Sequence, residues 1–179
     1  MAKAKEKLKV VASNGRAPLG RHFETGVDLP EATRATVIGL LNEQLAATSD
    51  LHSQVKQAHW NVKGIHFYPL HLLFDDLAEH LEDLTDEIAE RATALGGYAT
   101  GTVRMAAANS PLPELPDDIN EGLEYVKALV DRYSIYASGL RAGIDASDEA
   151  GDADTADLFT EASRIADKDL WFLQAHLQG

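Results

Sequence analysis

The chain contains no cysteine. That excludes disulfides and thiolate metal sites, so side chains that bind a metal here must use imidazole and carboxylate, donors that suit iron, manganese or zinc. No apolar run approaches the roughly 18–20 residues of a membrane span. The N-terminal MAKAKEKLKVVASNG has no apolar segment of signal-peptide length, so the expectation is a cytoplasmic protein with no membrane partner. No segment alternates with the period of a strand, and none repeats. Positive charge is also scarce, and it is unevenly placed. Residues 1–21 carry Lys3, Lys5, Lys7, Lys9, Arg16 and Arg21 against Glu6, a local balance of +5. With −13 on the whole chain, the other 158 residues carry −18. Such a body repels DNA and gathers cations, and a basic arm does the reverse.

What is present is helix. At 179 residues and 45% apolar content, the chain suits one globular domain with a sizeable core. Residues 1–28 lack sustained periodicity and are assigned to a flexible basic tail. Residues 29–179 form the folded part. Asp28-Leu29-Pro30 starts a helix that carries Val37, Leu41, Leu45, Leu51, Val55 and Val62 to a stop at Gly64. Pro69 opens a second helix, striped by Leu70, Leu73, Leu77, Leu81, Leu84, Ile88 and Leu95 and closed by Gly96-Gly97. Residues 96–116 hold only an alanine-rich patch with room for one short helical turn. A third helix is expected from about Asp117 to Gly151. A fourth follows from about Asp154 to Gln178, with Leu158, Ile165, Leu170, Leu173 and Leu177 as its stripe. The second helix would be about 40 Å long, and a 21-residue link reaches about 65–70 Å extended. Connections that run short, long, short therefore predict an all-α, ferritin-like four-helix bundle with one long crossover between helices two and three.

The chemistry concentrates in HWNVKGIHFYPLHLLFDDLAEHLEDLTDEIAER. At about 100° per residue, His71, Asp75, Glu79, Glu82, Asp86 and Glu90 share an arc of about 100° almost opposite the leucine stripe. An acidic arc alone reads as a solvated outer face. The histidine and the two i, i+4 pairs, His71/Asp75 and Asp86/Glu90, point instead to metal ligation. His71 and Glu90 are 19 residues apart, about 28 Å along the axis. Bonds of about 2 Å to metals at most about 4 Å apart cannot span that distance, so one chain cannot close a site from both pairs. Two antiparallel copies of the helix can. The first hairpin also allows His59 to approach His71. The expected site therefore takes His59, His71 and Asp75 from one chain and Asp86 and Glu90 from its twofold mate. The intrachain alternative, Glu-x-x-His motifs inside the bundle, fails because no glutamate precedes a histidine by three.

The run His59-Trp60-Asn61-Val62-Lys63-Gly64, Phe67, His71, Asp75, Asp86, Ala89-Glu90-Arg91 resembles the Dps family, the DNA-binding proteins from starved cells or mini-ferritins. Asp154-Thr155-Ala156-Asp157 and Asp169-Leu170-Trp171-Phe172 resemble it as well, so the likeness runs from about residue 30 to 177. The resemblance implies a hollow homododecamer with iron sites at its twofold interfaces. It also implies Fe(II) oxidation, preferably by hydrogen peroxide, storage of ferric mineral and protection of DNA. Trp60 would then shield or intercept oxidising equivalents beside the iron, and Asp157 would line an iron-entry pore. Lys3, Lys5, Lys7 and Lys9 would contact DNA, giving a nucleoid-associated location. Without the resemblance, Trp60 reads as packing, the Asp148–Asp157 cluster as helix caps, and the tail as a solubilising arm. The competing function is a nucleoid-compacting protein with iron handling secondary. His22, His52, His66, His80 and His176 lack carboxylates at comparable spacing and read as surface or packing residues. Gly139 and Gly143 read as sites of close helix packing.

Overall fold

The computed structural model describes residues 22–178. Lys3, Lys5, Lys7 and Lys9 lie outside them. Five helices form: α1 Glu31–Asn61, α2 Phe67–Ala94, α3 Val103–Asn109, α4 Gly122–Ala150 and α5 Ala153–Ala175. Among the described residues there is no strand, and no helix is long and apolar enough to cross a membrane. The four long helices form the expected bundle. α1 and α2 make one hairpin, α4 and α5 the other, and α1 also packs on α4. The alanine-rich α3, two turns rather than one, sits in the crossover against α1.

Local chemistry sets the boundaries. Gly64 adopts φ +97 in the first hairpin and Gly151 φ +86 after α4, left-handed positions that favour glycine. α4 begins at Gly122 rather than near Asp117, because the Glu124 carboxylate accepts from the backbone N–H groups of Asn120 and Glu121 and caps the helix there. These bonds hold the Glu124 carboxyl below its ordinary range. Asp152 caps α5 by accepting from the Thr155 N–H at 3.2 Å.

Most of the α2 stripe is buried as expected, with Leu70, Leu77, Leu81, Leu84, Ile88 and Leu95 at 2% exposure or less; Phe74 joins the buried face and Leu73 is only half-buried. On α5 the buried face differs from the expected one. It comprises Thr155, Phe159, Ala162, Ser163, Ala166, Asp169 and Leu173, while Leu158, Ile165 and Leu170 are only half-buried and Leu177 is exposed. Small residues bring the α5 backbone close to α4, where a Cβ on Gly143 would stand 2.9 Å from the Phe159 ring. The greasier stripe is turned aside. Ahead of α1, the Phe23 N–H donates to the Gly96 carbonyl and Thr25 Oγ1 to the Ala94 carbonyl, so the segment is tied to the end of α2 from Phe23 onward.

Candidate metal centre

His59 occupies the last turn of α1 and His71 the second turn of α2, and the hairpin at Gly64 brings them face to face. Their rings stack with centroids 3.8 Å apart and planes 20° from parallel. Each ring is held by the other's backbone. His59 Nδ1 donates to the His71 carbonyl at 2.8 Å, and His71 Nδ1 donates to the His59 carbonyl at 3.0 Å. A carbonyl can only accept, so both Nδ1 atoms carry the hydrogen. In the neutral rings both Nε2 lone pairs are then free for a metal. Backbone bonds of this kind would fix the orientation of both imidazoles were they to act as ligands.

Asp75 lies one turn beyond His71, with Oδ1 3.8 Å from His59 Nδ1. Lys56, one turn before His59, donates to the same Oδ1 at 2.7 Å. That hydrogen bond is the main reason the Asp75 carboxyl sits below its ordinary range, and the charge of Lys56 and the two histidines adds to it. Lys56 was not among the residues singled out from sequence, although its i, i+3 spacing to His59 puts it on the same face. Two imidazoles and a carboxylate are a donor set whose chemistry suits Fe(II), Mn(II) or Zn(II), and here they lie side by side without being gathered about one point.

Asp86 and Glu90 lie farther along α2, both exposed. Asp86 helps line an open groove of about 800 Å³ whose walls include Ser49, His52, Lys56, Trp60 and Glu82. Among the described residues of one chain, no group of three or more His, Asp or Glu side chains is placed to hold an ion. Trp60, beside His59, is 66% exposed, and Ile65, Phe67, Tyr68 and Leu72 form an exposed apolar apron on the same hairpin. Asp157 is exposed in the first turns of α5. The Asp148–Asp157 cluster does not act as one unit: Asp152 is buried against Arg91 at 2.8 Å, while Asp154 and Asp157 face outward.

One reading is overturned. His80 does have a carboxylate partner, Asp169, with Nδ1 3.0 Å from Oδ1 and 3.2 Å from Oδ2. The two are 89 residues apart and meet only because α2 crosses α5. The other histidines stay on the periphery. His22 and His66 are exposed, His176 bonds the Phe172 carbonyl within its own helix, and His52 borders the groove near Glu82.

The bundle and the histidine clamp can be set beside known proteins. A family model for the ferritin-like domain matches residues 38–179. The DNA protection during starvation protein of Agrobacterium fabrum is 47% identical over 155 residues, covering 87% of this chain and 96% of that protein. The chain belongs to the Dps family. Another Dps relative, the DNA protection during starvation protein of Streptococcus suis, is 34% identical over 149 residues and covers 83% and 87% of the two chains. Among solved Dps structures, DpsC from Streptomyces coelicolor superposes with a TM-score of 0.85 at 32% identity, over 92% of this chain and 97% of that one. Dps from Microbacterium arborescens, solved in a high iron form, gives 0.80 at 32% identity, over 88% and 100%.

Proposed function

We propose that this Dps chain is one subunit of a cytoplasmic ferroxidase cage that takes up Fe(II), oxidises it with hydrogen peroxide and stores the ferric product as mineral. DNA is thereby spared the radicals that free ferrous iron makes from peroxide. The observation that carries the reading is the His59–His71 clamp, in which both Nδ1 atoms are taken by backbone carbonyls, next to the exposed Asp75 carboxylate; His59 itself is buried and His71 half-buried. An incomplete set of donors calls for a second contributor. Asp86 and Glu90, on the same face of α2 but beyond reach within one chain, are the ligands a twofold mate would supply. The apolar apron of Trp60, Ile65, Phe67, Tyr68 and Leu72 is the surface it would cover. The resemblance extends the dimer to a dodecamer.

In this reading iron is substrate and cargo. The −18 body draws cations in, and the exposed Asp157 is the residue the resemblance would assign to an iron-entry pore. His59 and His71 would bind through Nε2, and the Asp75 carboxyl, held below its ordinary range by the Lys56 hydrogen bond, would join them as a carboxylate. Each ferrous ion gives up one electron. Two of them, with two protons, reduce one hydrogen peroxide to two waters. Trp60, next to His59 in the chain and exposed, would intercept a stray oxidising equivalent.

Replacing Asp75 or Glu90 with alanine is expected to slow peroxide-driven iron oxidation by at least about tenfold, since loss of even an outer-shell partner costs about 10–100-fold. Assembly should survive, because neither side chain belongs to the core. Co-assembly of Asp75→Ala chains with Glu90→Ala chains is the sharper measurement. Each mixed interface keeps one site with all its ligands, and neither variant alone keeps any. Activity should return on mixing. Verified mixed cages without recovery, or an active monomer by light scattering, would refute the shared site.

A further inference from the structure

About 180° round α2 from His71, His80 faces a different groove. This one lies between α2 and α5, measures about 450 Å³, and is lined by His80, Asp76, Glu79, Asp83 and Lys168, among others. His80 is 38% exposed at its side chain, while its partner Asp169 is 1% exposed. A buried carboxylate is costly, and Asp169 sits on the face of α5 that otherwise carries Phe159, Ala162, Ala166 and Leu173 into the core. Burial pushes its carboxyl up to about 6, against the opposing pull of His80 and Lys168. Packing alone gives no reason to place an acid here.

The pair makes chemical sense as an oriented ligand. Ionised Asp169 can only accept, so Nδ1 of His80 carries the hydrogen and the Nε2 lone pair is directed away from the core. Asp76 precedes His80 by four residues and Asp83 follows it by three, so both lie on adjoining turns of the same face, with Cβ separations of about 5–6 Å. An imidazole whose inner nitrogen donates to a buried carboxylate, flanked by exposed acids, reproduces the outer shell found behind metal-ligating histidines. The groove's cation, Lys168, has its Nζ over the Phe172 ring at 5.6 Å.

We propose that His80, with Asp76 and Asp83, forms a second metal site for a divalent transition cation such as Zn(II), Co(II) or Fe(II), with Asp169 as its positioning residue. The ligands are not gathered beforehand. Asp76 and Asp83 are exposed and close on the ion by rotation, with water completing the shell. All the ligands come from one chain, so the site does not depend on the interface reading above.

Zn(II) is the probe. Equilibrium dialysis of the full-length protein at neutral pH, followed by metal analysis, should show one more zinc per chain in wild type than in His80→Gln. A Glu90→Gln variant should keep that zinc, which separates this site from the shared one. Asp169→Asn should weaken the site about 10–100-fold while zinc binding elsewhere is unchanged. Anomalous diffraction from zinc-soaked crystals of the unaltered protein should place an ion within bonding distance of His80 Nε2, a measurement that needs no variant to fold. Equal zinc content in wild type and His80→Gln, or no anomalous density at His80, would overturn the site. Undiminished affinity in Asp169→Asn would overturn the role of Asp169.

Discussion

A neutral imidazole carries one hydrogen, and the group facing its inner nitrogen decides which nitrogen is left to ligate. At His59 and His71 that group is a backbone carbonyl, a contact that needs no particular side chain at the accepting position. At His80 it is the Asp169 carboxylate, which has its own titration. The folded Asp169 carboxyl is raised to about 6 from an ordinary 3.8, with burial as the main cause. The protonated form therefore favours folding. That contribution is fully present below 3.8 and is lost as pH rises through about 6. Asp169→Asn, which stays uncharged, should accordingly gain in melting temperature over wild type as pH goes from 4 to 7 in metal-free buffer. A difference that stays constant across that range would refute the assignment. If the residue is kept for ligand orientation, the substitution would trade metal affinity for stability.

Between helices, two contacts have consequences that stability measurements can read. Arg91 of α2 donates to both oxygens of Asp152 at 2.8 and 3.0 Å and to Thr155 Oγ1 at 3.0 Å, tying α2 to the α4–α5 turn. Burial by itself would raise the Asp152 carboxyl, but the hydrogen bonds from Thr155 and Arg91 outweigh it and hold the group below 3.8. Arg91→Ala leaves a buried carboxylate without its cation and should cost about 3 kcal/mol, measured by denaturant unfolding at equal protein concentration. A loss under about 1 kcal/mol would class the contact with exposed pairs. Two glycines of α4, Gly139 facing α1 and Gly143 at the α4–α5 seam, give a paired test. Alanine is favoured over glycine in a helix by about 1 kcal/mol. At Gly139 the new Cβ would meet only the end of the Gln44 side chain, at 3.4 Å, whereas at Gly143 it would stand 2.9 Å from the Phe159 ring. Overpacking costs about 1–3 kcal/mol, so Gly139→Ala should raise the melting temperature and Gly143→Ala lower it. The reverse order would mean that the seam is looser than its geometry.

At the scale of the whole molecule, charge separation sets the expectation. Residues 1–21 hold +5 against −18 on the rest, and a dodecamer would present twelve such arms. One arm neutralises few phosphates, and twelve act together. Deleting residues 1–21 should abolish DNA retention in low-salt gels and leave peroxide-driven iron oxidation intact. DNA binding by the full-length protein should also fall steeply as salt rises, through loss of counterion release. Retention by the truncated protein would move the DNA contact onto the acidic body, and full-length protein that ignores DNA at low salt would reduce the arm to a solubilising tail.

The four long helices, the hairpin–crossover–hairpin order and most of the α2 stripe were legible in the sequence because hydrophobic periodicity is local, and α2 has one apolar face to bury. The candidate ligands on α2 were legible for the same reason: 100° per residue puts His71, Asp75, Asp86 and Glu90 on a face the core does not use. That argument weakens on α5, where the face buried is chosen by how closely a neighbour can approach. Gly143 opposite Phe159 admits a tight seam, and the helix turns its small residues, Phe159, Asp169 and Leu173 inward while Leu158, Ile165 and Leu170 stay at the edge. Contacts between distant positions were not legible at all. Residue spacing along one chain holds no record that His80 meets Asp169, or that Arg91 meets Asp152, since each pair exists only where separate helices cross. The reciprocal bonds of His59 and His71 belong with these. Sequence placed the two rings near one turn, and only the closed hairpin decided which nitrogen of each is free.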